Sequence, residues 1–146
     1  MLRGNDPAVA NGSVVRGQRV FCSDRGRRGG CGKTFPLFFA EVLPRHSFPA
    51  SMLWALLRAL LDGKAIRAAA ETLRLPFSLE AAYGIIRRVR RRLDGVRSWL
   101  WRERPPPPSN RTDPLLQTLE HLQTLFRSNS CALTAYQRQF QQAFLG

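Results

Sequence analysis

Residues 78–101 read SLEAAYGIIRRVRRRLDGVRSWLW, a segment that is apolar at regular intervals and strongly basic between them. The apolar residues recur at the three- and four-residue spacing of an α-helix, so one side of the segment is expected to be buried. They are Ala82, Ile85, Ile86, Val89, Leu93, Val96 and Leu100. Five arginines lie within residues 87–92, without an acid among them. The segment therefore predicts a long helix, from Leu79 to about Trp101, with a basic outer side.

Two shorter helices are predicted upstream, over residues 49–61 and 65–73. Gly63 suits the end of the first, because glycine is common just past a helix C-terminus. Pro76 cannot continue a helix and separates the second from the long one, for which Ser78 is a suitable N-cap. Two short helices followed after a tight turn by a third are the layout of a helix-turn-helix domain, whose last helix enters the major groove of DNA.

The charge balance predicts a polyanionic partner. The chain has 23 Lys and Arg against 10 Asp and Glu, a formal net charge of +13. Only Lys33 and Lys64 are lysines, and the planar fork of an arginine matches pairs of phosphate oxygens. We therefore expect a nucleic acid as the partner, and double-stranded DNA in particular.

The arginines within residues 87–92 point over a wide arc of the long helix, so they cannot all reach one base edge. They fit contacts to the phosphate backbone better. A Gly/Arg loop near residue 26 and the turn before the long helix are expected to add contacts. The residues predicted to bind nucleic acid are Arg25, Arg27, Arg28, Lys33, Arg74, Tyr83, Arg87, Arg88, Arg90, Arg91 and Arg92.

The longest apolar stretch, residues 52–61, is too short to span a bilayer and contains Arg58. The three cysteines are odd in number, and the chain opens without a secretory pattern, so a disulfide framework is not expected. The sequence thus predicts a cytoplasmic, nucleoid-associated protein with no membrane partner.

A resemblance to a known family begins at Phe21-Cys22 and continues through Cys31-Gly32-Lys33-Thr34-Phe35. This stretch resembles the second half of the zinc ribbon near the N-terminus of many insertion-sequence transposases, in which a helix-turn-helix domain follows. The order of segments matches through about residue 104, and the resemblance implies recognition of transposon-end DNA. The chain departs from the family in having no cysteine pair upstream of Cys22 and eight residues between Cys22 and Cys31.

Two alternatives follow for the metal. Cys22, Cys31 and His46 are the candidate zinc ligands, although a structural zinc site needs four. Alternatively the hairpin is a remnant of the ribbon that needs no cofactor and is held by its own aromatic rings. Those rings belong to Phe21, Phe35, Phe38 and Phe39.

The expected fold is mainly α, a helix-turn-helix-type domain preceded by a small β-hairpin and followed by a C-terminal helical hairpin. The predicted segments are a flexible arm (1–18), a degenerate zinc-ribbon-like hairpin (19–46), the helix-turn-helix domain (47–104), a Pro-rich linker (105–114) and the helical hairpin (115–146). In the last segment, helices are expected from Leu115 to Arg127 and from Thr134 to Leu145.

An enzyme is not expected. The ten acids are scattered, and no pair has a spacing that predicts the two-metal site of a transposase nuclease. No phosphate-binding glycine loop or nucleophile motif is present.

Two other functions stay open at this stage. The same charges could bind RNA, for which Trp99 and Trp101 are the candidate stacking platforms. Alternatively the apolar stripes within residues 115–146 could form a homodimer or another protein contact, unless they pack onto the chain's own core.

Overall fold

The protein is described by a computed structural model that covers residues 2–5, 13–23 and 29–146. It is mainly helical, with a small antiparallel sheet at the N-terminus, as the sequence predicted. The strands are β1 (Leu2–Asn5), β2 (Ser13–Phe21) and β3 (Thr34–Phe38), and the helices are α1 (Ala50–Leu61), α2 (Ile66–Leu73), α3 (Leu79–Glu103), α4 (Pro114–Leu125) and α5 (Ala132–Phe140).

The helices that lead to α3 begin and end close to where the sequence predicts. Gly63 has a φ of 88° just after α1, a conformation that glycine adopts without strain. Arg74 ends α2 in the left-handed region, with a φ of 47°. The Ser78 hydroxyl accepts a hydrogen bond from the Ala81 amide at 3.2 Å and so caps α3.

The core lies between α1, α3 and the C-terminal helices. All seven apolar residues predicted on the inner side of α3 are buried. α1 contacts α2, α4 and α5, while α3 contacts α2 and α4. The stripes of residues 115–146, among them Leu119, Leu122 and Tyr136, are buried in this core. The C-terminal helices therefore pack on their own chain, which is one of the two arrangements that the sequence left open.

The last helix is shorter than predicted. α5 ends at Phe140, because Gln141 adopts a left-handed conformation with a φ of 53°. The chain then turns back, and Phe144 and Leu145 are buried although they are not helical. The helical spacing of Tyr136, Phe140 and Phe144 thus wrongly predicted one more turn of helix.

The N-terminal residues differ from the predicted flexible arm. Within residues 1–18, the described residues 2–5 and 13–18 lie in β1 and β2. β2 is the central strand of the sheet and pairs antiparallel with β1 on one side and with β3 on the other. Hydrogen bonds to neighbouring strands hold this stretch in the sheet. Its own amino-acid composition gives little indication of a strand.

The aromatic rings of the sheet are also placed differently from the prediction. Phe21, Phe35, Phe38 and Phe39 were expected to hold the hairpin together, but each is at least 43% exposed. None belongs to the core or to the side chains packed against it. The hairpin is thus joined by its backbone hydrogen bonds rather than by an aromatic cluster.

Gln137 connects the C-terminal tail to the segment between the sheet and α1. It is 7% exposed, and its amide nitrogen donates to the carbonyl oxygens of Ala40 at 2.6 Å and Val42 at 3.0 Å. Its amide oxygen accepts a hydrogen bond from the Phe144 backbone at 2.9 Å. One buried side chain therefore satisfies three backbone groups from two distant segments.

Replacing Gln137 by leucine should destabilise the protein by about 3 kcal/mol, because it leaves these backbone groups buried without partners. Urea unfolding followed by circular dichroism measures the change. Gln139→Leu, at an exposed position two residues away, is the matched control and should change the stability by less than about 0.5 kcal/mol. Equal stabilities of the two variants would contradict this role of Gln137.

Candidate nucleic-acid interface

The outer face of α3 is determined by its buried face. Successive residues of an α-helix are rotated by about 100°, so the five arginines of residues 87–92 cannot share one direction. Arg87, Arg88 and Arg91 lie within about 100° of one another, opposite the core, whereas Arg90 and Arg92 fall on the two flanks. All five side chains are exposed, but the flanking pair faces the C-terminal segments.

The three outward arginines are unpaired in the part of the chain that the structure describes. Among the residues that the structure describes, none forms a hydrogen bond or an ion pair with the Arg87, Arg88 or Arg91 side chain. Arg87 and Arg91 are four residues apart, and a like-charge pair at this spacing destabilises a helix by a few tenths of a kcal/mol. This face therefore carries an uncompensated positive charge.

Arg90 was predicted to contact phosphate, but the structure pairs it with a carboxylate. Its two terminal nitrogens donate to the Asp113 oxygens at 2.8 and 2.7 Å. Asp113 also caps α4, because its Oδ1 accepts from the Leu115 amide at 2.9 Å. Arg90 thus links α3 to the start of α4, and the Asp113 carboxylate neutralises its charge.

Arg92 is engaged in a similar way. It donates to the backbone oxygens of Ala143 and Gly146, both at 3.2 Å. Carbonyl groups do not neutralise the guanidinium, but they hold it toward the tail. Arg92 therefore contributes charge to the region rather than a freely moving contact.

A basic hollow lies beside this face. A cavity of about 330 Å³ lies between three segments of the chain. It is lined by Arg88, Arg91 and Arg92 of α3, by Arg45 and His46 of the loop before α1, and by the tail residues Leu145 and Gly146. No acidic side chain lines it. Low-dielectric walls of one charge sign concentrate the field of such a hollow and attract anions.

The pKa of His46 is affected by this positive field. Burial lowers the pKa of its imidazole below the ordinary value of 6.5, and the charges of Arg88 and Arg16 lower it further. Arg16 lies in β2 and donates hydrogen bonds to the backbone oxygens of Leu43 and His46. The loop that carries His46 is thus held between the sheet and α3.

The N-terminal half of α3 is open to a large partner. Glu80 and Tyr83 are exposed, the latter by 46% of its surface, and a methyl group added at Gly84 would meet no atom within 4 Å. Arg74, at the end of α2, is exposed as well. The predicted contact residues Arg74 and Tyr83 and the outward arginines are therefore all accessible.

The predicted contacts of the N-terminal hairpin are only partly described. Arg25, Arg27 and Arg28 lie outside the residues that the structure describes. Lys33 is exposed, and its backbone oxygen accepts from the Cys22 amide at 2.8 Å.

The structure brings two of the three candidate zinc ligands together. The Cys31 amide donates to the Cys22 sulfur at 3.3 Å, and hydrogen bonds from Cys31 lower the pKa of the Cys22 thiol. His46 does not join them: the described residues contain no group of three or more His, Cys, Asp or Glu side chains suited to a metal. They supply two of the four ligands that a structural zinc site requires, and zinc binding stays a prediction.

The candidate platforms for RNA bases differ from each other. Trp101 is 62% exposed. Trp99 instead is half-buried and packs on Phe140 of α5, with ring centroids 5.7 Å apart, and the Arg102 guanidinium lies 4.9 Å from the centroid of its ring. Trp101 is therefore the more accessible of the two.

Sequence reasoning missed Arg45 and Asp113. Arg45 has a φ of 64°, in the left-handed region that a non-glycine residue enters at a cost, and this conformation carries it to the rim of the basic hollow. Asp113 immediately precedes Pro114, and an Asp-Pro pair ahead of an apolar stripe is a recognisable helix start. That signal would have predicted the cap but not the ion pair to Arg90.

The ion pair predicts a dependence of stability on pH. Hydrogen bonds from Arg90 hold the pKa of Asp113 below its ordinary value of 3.8. The pair's stabilisation is fully present above that value and disappears as the pH falls through the lowered pKa of the folded protein. We expect Asp113→Asn, which keeps a capping side chain, to cost about 0.5–1 kcal/mol at neutral pH, because the pair is partly exposed.

Urea unfolding of wild type and Asp113→Asn over a pH series measures this difference. The two curves should converge in acid. A gap that persists below the lowered pKa would mean that something other than the carboxylate charge causes it.

None of the described helices is long and apolar enough to cross a membrane.

The resemblance to transposase N-terminal regions stays a prediction, and a function has to be inferred from the geometry and charge of the chain's own residues. Comparison with known proteins found no family model, no curated protein and no solved structure that matches this chain.

Proposed function

We propose that this protein is a non-catalytic DNA-binding module that holds the phosphate backbone of a duplex with the outer face of α3. The observation that carries the proposal is the set of three exposed guanidinium groups, on Arg87, Arg88 and Arg91, without a partner among the described residues. Arg45 and His46 extend this basic surface beyond the helix.

The arrangement favours phosphates over base edges. Three neighbouring arginines spread over about 100° of helix surface suit a row of anions better than a single planar base. Each cation near the backbone releases condensed counterions, and this release is the main source of sequence-independent affinity. Arg92 adds to the positive field while it keeps its contacts to the tail, whereas Asp113 neutralises Arg90.

A duplex suits the shape of α3. Its first two turns are exposed at Glu80 and Tyr83 and partly exposed at Gly84, and they follow directly after a turn from α2. The major groove of DNA admits one α-helix, and small side chains allow a close approach to its walls. We therefore infer that the N-terminal half of α3 lies in or against the groove while the arginines contact the flanking phosphates.

The biological target follows only from the resemblance. The Cys31–Phe35 turn and the helices after it resemble transposase N-terminal regions, so transposon ends are the DNA that we propose as the natural target. A nucleoid-associated role in the cytoplasm fits the same proposal.

Replacing Arg87, Arg88 and Arg91 together by glutamine should weaken binding to all duplex sequences alike. The slope of log affinity against log salt should become shallower by roughly 3, since each lost phosphate contact removes roughly one counterion from the balance. Fluorescence anisotropy with two unrelated duplexes over a salt series measures both quantities.

The matched control removes the same charge elsewhere. The side chains of Arg58, Arg104 and Arg127 are exposed and form no hydrogen bond or ion pair with the described residues, and their replacement by glutamine should change the slope by less than about 1. Equal effects of the two triple variants would mean that net charge alone binds DNA, and an unaltered slope in the first variant would exclude the α3 face.

His46 predicts tighter DNA binding at lower pH. A phosphate beside Arg88 would cancel part of the positive charge that now lowers the pKa of His46, so the bound protein would take up a proton. Affinity should rise as the pH falls from about 8 to about 5, by up to roughly tenfold for each unit by which binding raises the pKa.

The same anisotropy assay tests this linkage. His46→Gln should flatten the pH dependence. His121→Gln, which changes the only other histidine, should retain it. A pH dependence that survives in the His46 variant would contradict the assignment.

A further inference from the structure

The small sheet exposes more apolar surface than the rest of the fold leads one to expect. Its most exposed members are Leu37, at 57%, and Phe21, at 54%. Five residues of β3, Thr34 to Phe38, are exposed without interruption. In the part of the chain that the structure describes, the main neighbours of β2 and β3 are β1 and each other rather than a helix. Contiguous apolar surface of this kind is typical of an interaction site.

The pairing of β2 with β3 assigns these side chains to two faces. Gly17 pairs with Phe38, Arg19 with Pro36 and Phe21 with Thr34. Directly paired residues lie on the same face of an antiparallel sheet, and alternate residues of one strand share that face. Phe21, Arg19 and Phe38 therefore lie on one face, which we call the aromatic face.

The aromatic face holds two rings that are well separated. Phe21 and Phe38 belong to pairs that are four residues apart along the strands, a separation of about 13 Å at 3.3–3.4 Å per residue. Arg19 lies between them. Each ring offers a flat apolar surface to a base, and the guanidinium between them offers a cation to a phosphate.

The charge on the sheet points to the same class of partner. Residues 13–23 and 29–39, all described, contain no acid. Arg19 is exposed, whereas the guanidinium of Arg16 is occupied by the oxygens of Leu43 and His46. Within β2 and β3, the aromatic face therefore carries the one arginine that is available to a ligand, while the opposite face carries Val20, Phe35 and Leu37 together with Gln18.

We propose that the aromatic face of the sheet binds unpaired bases of a single-stranded nucleic acid, with Phe21 and Phe38 stacking on bases and Arg19 contacting the phosphate between them. Base stacking on aromatic side chains tolerates any sequence, because every base has a π-face. This activity goes beyond the duplex binding proposed for α3 and uses different residues.

A second copy of the chain fits this face less well. Each copy carries a net charge of +13. The aromatic face itself contains Arg19 and no acidic residue that could pair with the Arg19 of a second copy. Like charges placed opposite each other oppose such an interface. A polyanion removes the conflict, since it supplies the missing negative charge.

The sheet and the basic surface of α3 adjoin at His46. Arg16 of β2 donates to the His46 backbone, and His46 and Arg88 of α3 line the same hollow. A strand that leaves a duplex on α3 would therefore meet the sheet within a short distance.

The test measures binding of a fluorescein-labelled oligothymidylate and of a blunt duplex to the full chain by anisotropy. Phe21→Leu/Phe38→Leu keeps apolar side chains of similar size but removes both rings. It should weaken oligothymidylate binding by about 10-fold or more, because each stacked base is worth at least a factor of five. Duplex binding should change by less than about twofold.

Two further variants give the experiment its controls. Phe35→Leu removes a ring from the opposite face and should leave oligothymidylate binding unaltered. Phe21→Trp/Phe38→Trp enlarges both platforms and should bind at least as tightly as the wild type. Circular dichroism spectra and melting temperatures equal to those of the wild type establish that the variants are folded.

Unaltered oligothymidylate binding in Phe21→Leu/Phe38→Leu would overturn the proposal, as would an equal loss in Phe35→Leu. A wild-type dimer in light scattering that the leucine pair dissociates would also overturn it, because the face would then join two copies. The duplex proposal fails separately, since Arg87, Arg88 and Arg91 determine its outcome.

Discussion

Burial of one side of α3 is the constraint on which the rest of the structure depends. Seven side chains from Ala82 to Leu100 are at most 7% exposed and bring α3 against its neighbours. Successive residues of an α-helix are rotated by about 100°. The buried side chains therefore also determine the direction of each arginine that lies between them in the sequence. Arg87, Arg88 and Arg91 face outward for the same reason that Ile86 and Val89 face inward.

The arginine run has two physical tasks. Arg90 forms a bidentate pair with the carboxylate that caps α4, and Arg92 holds the returning tail by its backbone oxygens. The outward members have no partner among the described residues, so their guanidinium groups stay available for direct contact with a polyanion. A cluster of like charges is thus divided by helix geometry into cations that stabilise the fold and cations that remain available for binding.

The sheet follows a different rule from the helices. The helical part buries most of its large apolar side chains wholly or partly, whereas β2 and β3 expose Phe21, Phe35 and Phe38. Backbone hydrogen bonds pair these strands, but they leave the rings about half exposed to water, and the exposed surface gains nothing from burial. Exposed rings beside an arginine are suited to a partner that has both flat apolar surfaces and negative charge, and nucleic acid has both.

The sequence by itself determined the helices from α1 to α4, the buried residues of α3 and the excess of positive charge, because these follow from local spacing and composition. The tertiary structure decided which arginines remain available, since the partner of Arg90 lies 23 residues away and no local pattern links the two. It also decided that residues 13–18 form part of a strand and that the rings of the hairpin stay exposed. Strand pairing and burial are properties of the neighbours that a segment acquires, and those neighbours exist only in the folded chain.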